Sequence, residues 1–283
     1  MMLARVPGQP THKEPGSELK LPAQAAANPV LSLHDCTIRF GGLVAVSSLS
    51  LKVEFKELLG LIGPNGAGKT TVFNMITGVY KPSAGTIHFL GEDITGLRPD
   101  LITRRGIART FQNIRLFESM TVLENVMVAC HMRARCGALA AMAGSRRCAG
   151  EEARMRQESL ELLNAVGLDR LAGAPARSLA YGQRRRLEIA RALATKPRLL
   201  LLDEPAAGMN AVESEELMHF IRYLRERFDL TILLIEHHMR VVMGVCERIV
   251  VMDHGVLIAE GTPAQVQSDP RVIEAYLGAE THA

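Results

Sequence analysis

The sequence contains no tryptophan, and its four tyrosines and eight phenylalanines leave few rings for stacking on bases. A net charge of +3 over 283 residues is too mild for the dominant basic surface that nucleic acid demands, and no nucleic-acid partner is expected. No stretch reaches the roughly 18 uninterrupted apolar residues of a spanning helix, so the chain is not expected to cross a membrane by itself. The five cysteines, Cys36, Cys130, Cys136, Cys148 and Cys246, lack CxxC spacing. That argues against a zinc site or a disulfide framework and predicts reduced thiols in a cytosolic protein. Residues 1–29 mix Pro, Gly, Lys and Glu without the apolar region of a signal peptide, and read as a flexible leader. Repeats of fixed period, long low-complexity tracts and sustained heptads are also missing.

What is present is apolar content, 47% hydrophobic against 22% charged, enough to bury the core of one large domain or of a domain with a subdomain. From residue 30 short β-rich runs begin: VLSLHDCTIRF, then LSLKVEF with alternating apolar positions, then ELLGLI, apolar enough for burial on both faces. After the glycine-rich GPNGAGKT, Val72, Phe73, Met75, Ile76 and Val79 recur at helical spacing, and Pro82 and Gly85 close the segment ahead of the strand TIHFL. Between about residue 113 and 180 the β signal gives way to Ala, Leu, Met, Arg and Glu, which predicts a helical subdomain inserted in an α/β core. The basic run over 131–157 is interrupted by Glu151 and Glu152 and carries no aromatics, so it reads as a solvated helical surface. The core resumes with RLLLLDEP, LTILLIEHH and RIVVMDHGVLIAEG, separated by helical stretches such as VESEELMHFIRYLRERF.

Gly63-Pro64-Asn65-Gly66-Ala67-Gly68-Lys69-Thr70, followed by Thr71, matches the phosphate-loop pattern G-x-x-x-x-G-K-[ST] in its proper context, after a buried strand and before a helix. Glycines let backbone N–H groups converge on phosphate oxygens, and the helix turns the positive end of its dipole toward the anion. Lys69 is expected to reach the β- and γ-phosphates, and the Thr70 hydroxyl to ligand Mg²⁺. Such a site also needs a carboxylate for the metal and a group that positions the attacking water. Both are offered where the apolar run Leu199–Leu202 ends in Asp203 and Glu204: Asp203 for Mg²⁺, Glu204 to polarise water. Open α/β sheets bind ligands at the carboxyl ends of their strands, where both motifs fall.

Between and after these motifs the sequence resembles one class of phosphate-loop protein. Ser178-Leu179-Ala180-Tyr181-Gly182-Gln183-Arg184, followed by RRLEIARAL, resembles the signature of ABC ATPases. Thr110-Phe111-Gln112-Asn113 is similar to their Q-loop, Ala206-Ala207-Gly208-Met209-Asn210 to their D-loop, and His237 to their switch histidine. The elements occur in the family's order and cover nearly the whole chain from residue 31. The resemblance implies an α/β phosphate-loop core with an antiparallel β subdomain and the inserted helical subdomain. It also implies a dimer in which the phosphate loop of one chain and the signature of the other sandwich ATP. Ala180, Tyr181, Gly182 and Gln183 would then face the partner's nucleotide, with a helix beginning near Gln183. Gln112 would join Mg²⁺ and the γ-phosphate to the helical subdomain, His237 would hydrogen-bond that phosphate, and Phe40 sits where the family places the aromatic that stacks on adenine. The chain departs from the usual Leu-Ser-Gly-Gly-Gln at Ala180 and Tyr181, and has Asn210 where Asp is usual.

Within that family the stretches LAYGQ, RTFQNIRLFESMTVLENVMVA, LDEPAAGMN, LLIEHHMRVVMG and RVIEAYLG resemble the ATP-binding subunits of branched-chain (hydrophobic) amino-acid importers. This resemblance implies two permease subunits, a second, non-identical ATPase and an extracytoplasmic solute-binding protein, with the chain peripheral on the cytoplasmic face of the inner membrane. The permease contact is expected between Asn113 and about Asn125, through Leu116, Phe117 and Met120. Urea, amide or lipopolysaccharide transport, and a soluble ABC ATPase acting on ribosomes or DNA, stay open as alternatives.

Overall fold

The computed structural model describes residues 29–134 and 146–280. The expected leader, apart from Pro29, lies outside them, as do Cys136 and part of the basic run. Strands β1 (Leu31–Phe40) and β2 (Leu43–Val53) form a hairpin, with Phe40 paired to Leu43 and Leu31 to Val53. Strands β3 (Leu58–Ile62), β4 (Ala84–Phe89) and β5 (Glu92–Asp93) follow, with α1 (Lys69–Ile76) between the first two. Strands β2-β1-β4-β5 make an antiparallel sheet.

Helix α2 (Pro99–Arg105) begins with proline at its first turn and ends at left-handed Gly106, the usual punctuation of a short helix. Strand β6 (Ile107–Arg109) comes next, a piece too short to show periodicity. Then come α3 (Val122–Cys130), capped by a reciprocal Thr121/Glu124 box, α4 (Arg146–Ala165) and α5 (Tyr181–Ala194). Helix α5 packs on α3 and α4, so the helical layer runs past the expected boundary at about 180. Strand β7 (Leu199–Asp203), α6 (Ala211–Arg227), β8 (Thr231–Ile235), α7 (Met239–Val245), β9 (Arg248–Asp253), β10 (Val256–Gly261), α8 (Pro263–Ser268) and α9 (Pro270–Glu280) complete the chain. The last strand-rich run is two strands, because His254 and Gly255 both take positive φ (44° and 80°) and turn the chain back on itself.

The second sheet has the order β10-β9-β3-β8-β7-β6, parallel except for β10. Strands β3, β7 and β8 are buried along their whole length, as their unbroken apolar runs require of a parallel sheet covered on both faces. Their alternation builds two cores. Leu59, Leu61, Leu199, Leu201, Leu233 and Ile235 pack with α1 and the antiparallel sheet; Leu58, Ile62, Leu200, Leu202, Ile232 and Leu234 pack with the helices on the other side. Val72, Phe73, Met75 and Ile76 bury one face of α1 at 1% exposure or less. Burial of side chains this size stabilises by about 1.5–3 kcal/mol each, which pins the helix that carries the phosphate loop. Among the described residues no helix is long and apolar enough to cross a membrane. Cys36, Cys130 and Cys246 are free and buried, as expected, whereas Cys148 is disulfide-bonded, contrary to the expectation of reduced thiols throughout.

Candidate nucleotide site

The phosphate loop links the carboxyl end of β3 to the amino end of α1. Gly63 takes φ 150°, where a Cβ would stand 2.0 Å from the Met252 carbonyl oxygen of β9, so any side chain would drive the loop out of the sheet. A Cβ on Gly66 (φ 83°) would meet nothing within 4 Å; that side of the loop is open. Helix α1 starts from left-handed Gly68, and no side chain caps it. The first-turn amides of Lys69, Thr70 and Thr71 therefore lack a partner within the helix and are available to an anion. The Lys69 ammonium is curled into the loop, donating to Gly63 O at 2.7 Å and Pro64 O at 2.9 Å. Burial pushes its pKa below the ordinary lysine range, while Glu204 and then Asp203 pull it back. The amides, the cation and the open face suit a polyphosphate.

Parallel pairing of β7 with β8 carries Asp203 and Glu204 to the same rim. Asp203 is nearly enclosed and pairs with Arg109, Nη2 to Oδ2 2.7 Å. Glu204 has φ 45°, a left-handed conformation that costs a non-glycine residue about 1 kcal/mol or more and is held by its N–H bond to Ile235 O at 2.9 Å. That turn aims its carboxylate at two side chains from distant elements. Gln112 Nε2 donates to Glu204 Oε2 at 2.6 Å, and His237 Nδ1 lies 3.6 Å from the same oxygen. Gln112 thus spends its NH₂ on Glu204, leaving its amide oxygen as the atom to meet a metal. Hydroxyl, amide and carboxylate oxygens from Thr70, Gln112 and Asp203 are the hard donors that Mg²⁺ takes.

The signature segment lies at the start of α5, which begins at Tyr181, two residues ahead of Gln183. Ala180 is its N-cap and has no side-chain oxygen to offer; the Gln183 side chain supplies half of a capping box by accepting from Ala180 N at 3.1 Å. The Tyr181 hydroxyl donates to Ala207 O at 3.0 Å, tying the signature to the D-loop. Arg185, 1% exposed, donates to Phe111 O, Gln112 O, Glu188 and the Tyr181 hydroxyl, binding the signature helix to the Q-loop main chain. The hydrogen bonds of residues 180–183 stay within this cluster, and none among the described residues reaches the phosphate loop. On the D-loop, Ala206 N donates to buried Glu236 Oε1 at 2.7 Å, and Asn210 caps α6 through a reciprocal box with Glu213. The capping role accounts for an amide at position 210, because Asn and Asp cap equally well.

Glu236, His237 and His238 bring possible ligand atoms within 4.8 Å of one another. The Glu236 oxygens accept from the N–H groups of Ala206, His237 and His238, which ties the D-loop to the end of β8. Phe40 is 43% exposed at the end of β1, edge-on to Tyr80 with ring centroids 5.0 Å apart. Lys69, Asp203, Glu204, Gln112 and His237 come together, while no hydrogen bond among the described residues joins the signature to its own phosphate loop. Sequence reasoning missed Arg109, Tyr80, Arg185 and Glu236. A charge inside an apolar run was the one available signal, at Arg109 in IART and at Glu236 in LLIEHH.

The family model described as ABC transporter matches residues 46–207, and that of the branched-chain amino acid ATP-binding cassette transporter matches residues 256–282. The high-affinity branched-chain amino acid transport ATP-binding protein BraF of Pseudomonas aeruginosa is 47% identical over 252 residues, covering 89% of this chain and 99% of BraF. LivG of Escherichia coli, of the same description, is 46% identical with the same coverage. The lipopolysaccharide export system ATP-binding protein LptB of Haemophilus influenzae is 37% identical over 88% of this chain and 97% of its own. Among solved structures, the ADP conformation of MJ1267, an ATP-binding cassette of an ABC transporter, superposes with a TM-score of 0.77 at 31% identity, covering 88% of this chain and 99% of that one. A nucleotide-free cassette gives 0.76 at 32% identity over 88% and 98%. With the loop, the paired acids and the ordered motifs in place, the chain belongs to the ABC transporter family as one of its ATP-binding, ATP-hydrolysing cassettes.

Proposed function

We propose that the chain powers a membrane importer of branched-chain amino acids, closing on ATP against a second, non-identical ATPase and moving permease subunits fed by an extracytoplasmic binding protein. The observation that carries the reading is the full-length likeness to BraF and LivG, reinforced by the separate match of residues 256–282 to a branched-chain cassette family. In this reading the phosphate loop and Lys69 hold the β- and γ-phosphates, and Thr70, Gln112 and Asp203 hold Mg²⁺. Glu204 takes the proton of the attacking water, and His237 orients Glu204 and the γ-phosphate. Residues 180–183 complete the partner's site, and the chain sits peripherally on the cytoplasmic face of the inner membrane.

The permease would dock in an apolar cleft of about 430 Å³ between the α/β core and the helical layer, lined in part by Phe111, Phe117, Val128 and Met132. Phe117 is exposed at its edge, as the sequence predicts of a contact residue. Leu116 and Met120, the other two expected contact residues, are half-buried, Leu116 packing against the core. The test is uptake of labelled leucine by cells that lack the chain. Uptake restored by the intact gene and not by Glu204→Gln supports the reading. Uptake indifferent to the chain, with copurification of ribosomal proteins or of lipopolysaccharide-exporting permeases, overturns it.

A further inference from the structure

Arg109 closes β6 beside Leu201 of β7 and is nearly enclosed, its side chain 6% exposed against 5% for Asp203. Its guanidinium is divided between two elements. Nη2 donates to Asp203 Oδ2 at 2.7 Å, while Nη1 donates to Asn74 Oδ1 at 2.7 Å and reaches Thr77 Oγ1 at 3.4 Å, both on the α1 side. The planar group lies between two rings, 5.4 Å from the Phe73 centroid and 5.1 Å from that of Phe111. Its Nε is buried without a hydrogen-bond partner, so the guanidinium makes all its hydrogen bonds through the two Nη groups. Thr110, the next residue, accepts from Asp203 N at 3.4 Å, so β6 holds the aspartate from both its side chain and its backbone.

We propose that Arg109 is the positioning residue and internal counter-ion of Asp203, setting the metal carboxylate in register with the phosphate-loop helix. The inference rests on the assignment of Asp203 to Mg²⁺ made above. The metal-side oxygens come from two elements, Thr70 from α1 and Asp203 from β7, and Arg109 is hydrogen-bonded to both elements at once. With Oδ2 committed to Arg109, Asp203 presents Oδ1 to the metal. In charge, Lys69 and Arg109 balance Asp203 and Glu204, so the nucleotide-free site has no surplus negative charge with which to retain a cation. Residues of this balance would hold a divalent ion only together with phosphates that bring their own charge.

The test uses the full chain and Mn²⁺ binding followed by electron paramagnetic resonance, beside steady-state turnover. Arg109→Met should bind Mn²⁺ without nucleotide at least about 10-fold more tightly, the floor set by removing one positive charge roughly 6 Å from a divalent ion even at water-like screening. Its kcat should fall at unchanged KM for ATP. Arg109→Lys should return the nucleotide-free Mn²⁺ affinity to the wild-type value while kcat stays low, because an ammonium cannot bridge Asn74 and Asp203 as a planar fork does. An Arg109→Met affinity within about twofold of wild type, or a lysine variant that binds like the methionine variant, overturns the proposal. Should Arg109→Met fail to fold by circular dichroism, Asn74→Ala/Thr77→Val carries the test: the ion pair stays but both its tethers on the α1 side go, and an unchanged kcat overturns the positioning role. Asp203→Asn with ADP and Mn²⁺ separates the two readings. If it leaves Mn²⁺ binding intact, the metal assignment of Asp203 has failed, whatever Arg109 does.

Discussion

Removing Arg185 tests how the signature helix is bound to the Q-loop. Arg185 and Glu188 form an ion pair at 2.9 Å with side chains 1% and 6% exposed, and Glu188 Oε1 also accepts from Phe111 N at 3.1 Å. Arg185→Met keeps much of the volume and strands a buried carboxylate, a change that costs about 3–5 kcal/mol. Burial already raises the pKa of Glu188, against the lowering pull of the Phe111 amide and Arg185. A folded pKa above the unfolded one means that the folded state binds the proton more readily, so stability falls as pH climbs from the unfolded value through the folded one. Deleting Arg185 raises that folded pKa further. The deficit of Arg185→Met should thus be largest near about pH 8 and shrink near about pH 5, where Glu188 takes up a proton. The double variant Arg185→Met/Glu188→Leu should recover at least about 1 kcal/mol over the single one. Urea unfolding followed by far-ultraviolet circular dichroism reads all three, the chain having no tryptophan to report. A deficit below about 1 kcal/mol, or one indifferent to pH, would refute the reasoning.

Glu204→Gln should keep nucleotide affinity and slow turnover by about 10²–10⁴-fold, the scale of a lost general base, as measured by phosphate release in a single turnover. Gly63→Ala should abolish soluble folded protein, since its Cβ would fall 2.0 Å from the Met252 carbonyl oxygen. Gly66→Ala should fold, with a strain of about 1–2 kcal/mol at its left-handed φ and weaker binding of a fluorescent ADP. Asn210→Ala should lower stability by about 1 kcal/mol through the lost cap of α6, with Asn210→Asp near wild type in thermal unfolding.

The motifs legible in the sequence are those whose chemistry is local. A strand, a glycine loop and a helix are contiguous, so GPNGAGKTT declares its own conformation, and LLLLDE declares a buried strand that ends in acids. The helical layer was visible from composition, although α5 begins at Tyr181 because Ala180 and Gln183 form the cap, a detail that depends on one backbone N–H. Expectation failed where elements were too short or contacts too distant. The pairing of β6 with β7 rests on Ile107, Ala108 and Arg109, and no period can be read from so few residues. Leu116 packs half-buried against the core for a related reason, since the burial of a loop side chain is set by distant residues.

By itself, the sequence determined that a phosphate-loop motif joins a buried strand to a helix, that two acids end a neighbouring strand, and that the ordered motifs are those of an ABC cassette. The tertiary structure decided which of these groups touch. Gln112 and Glu204 are 92 residues apart, Arg109 and Asp203 94, and their contacts exist because the parallel order β8-β7-β6 brings those strand ends to one rim. Strand order in a parallel sheet is settled by long-range packing on both faces, which leaves no periodic mark in the chain. The same holds for Tyr181, whose place in the signature is a departure in the sequence and becomes a hydrogen bond to Ala207 only once α5 and the D-loop are packed together.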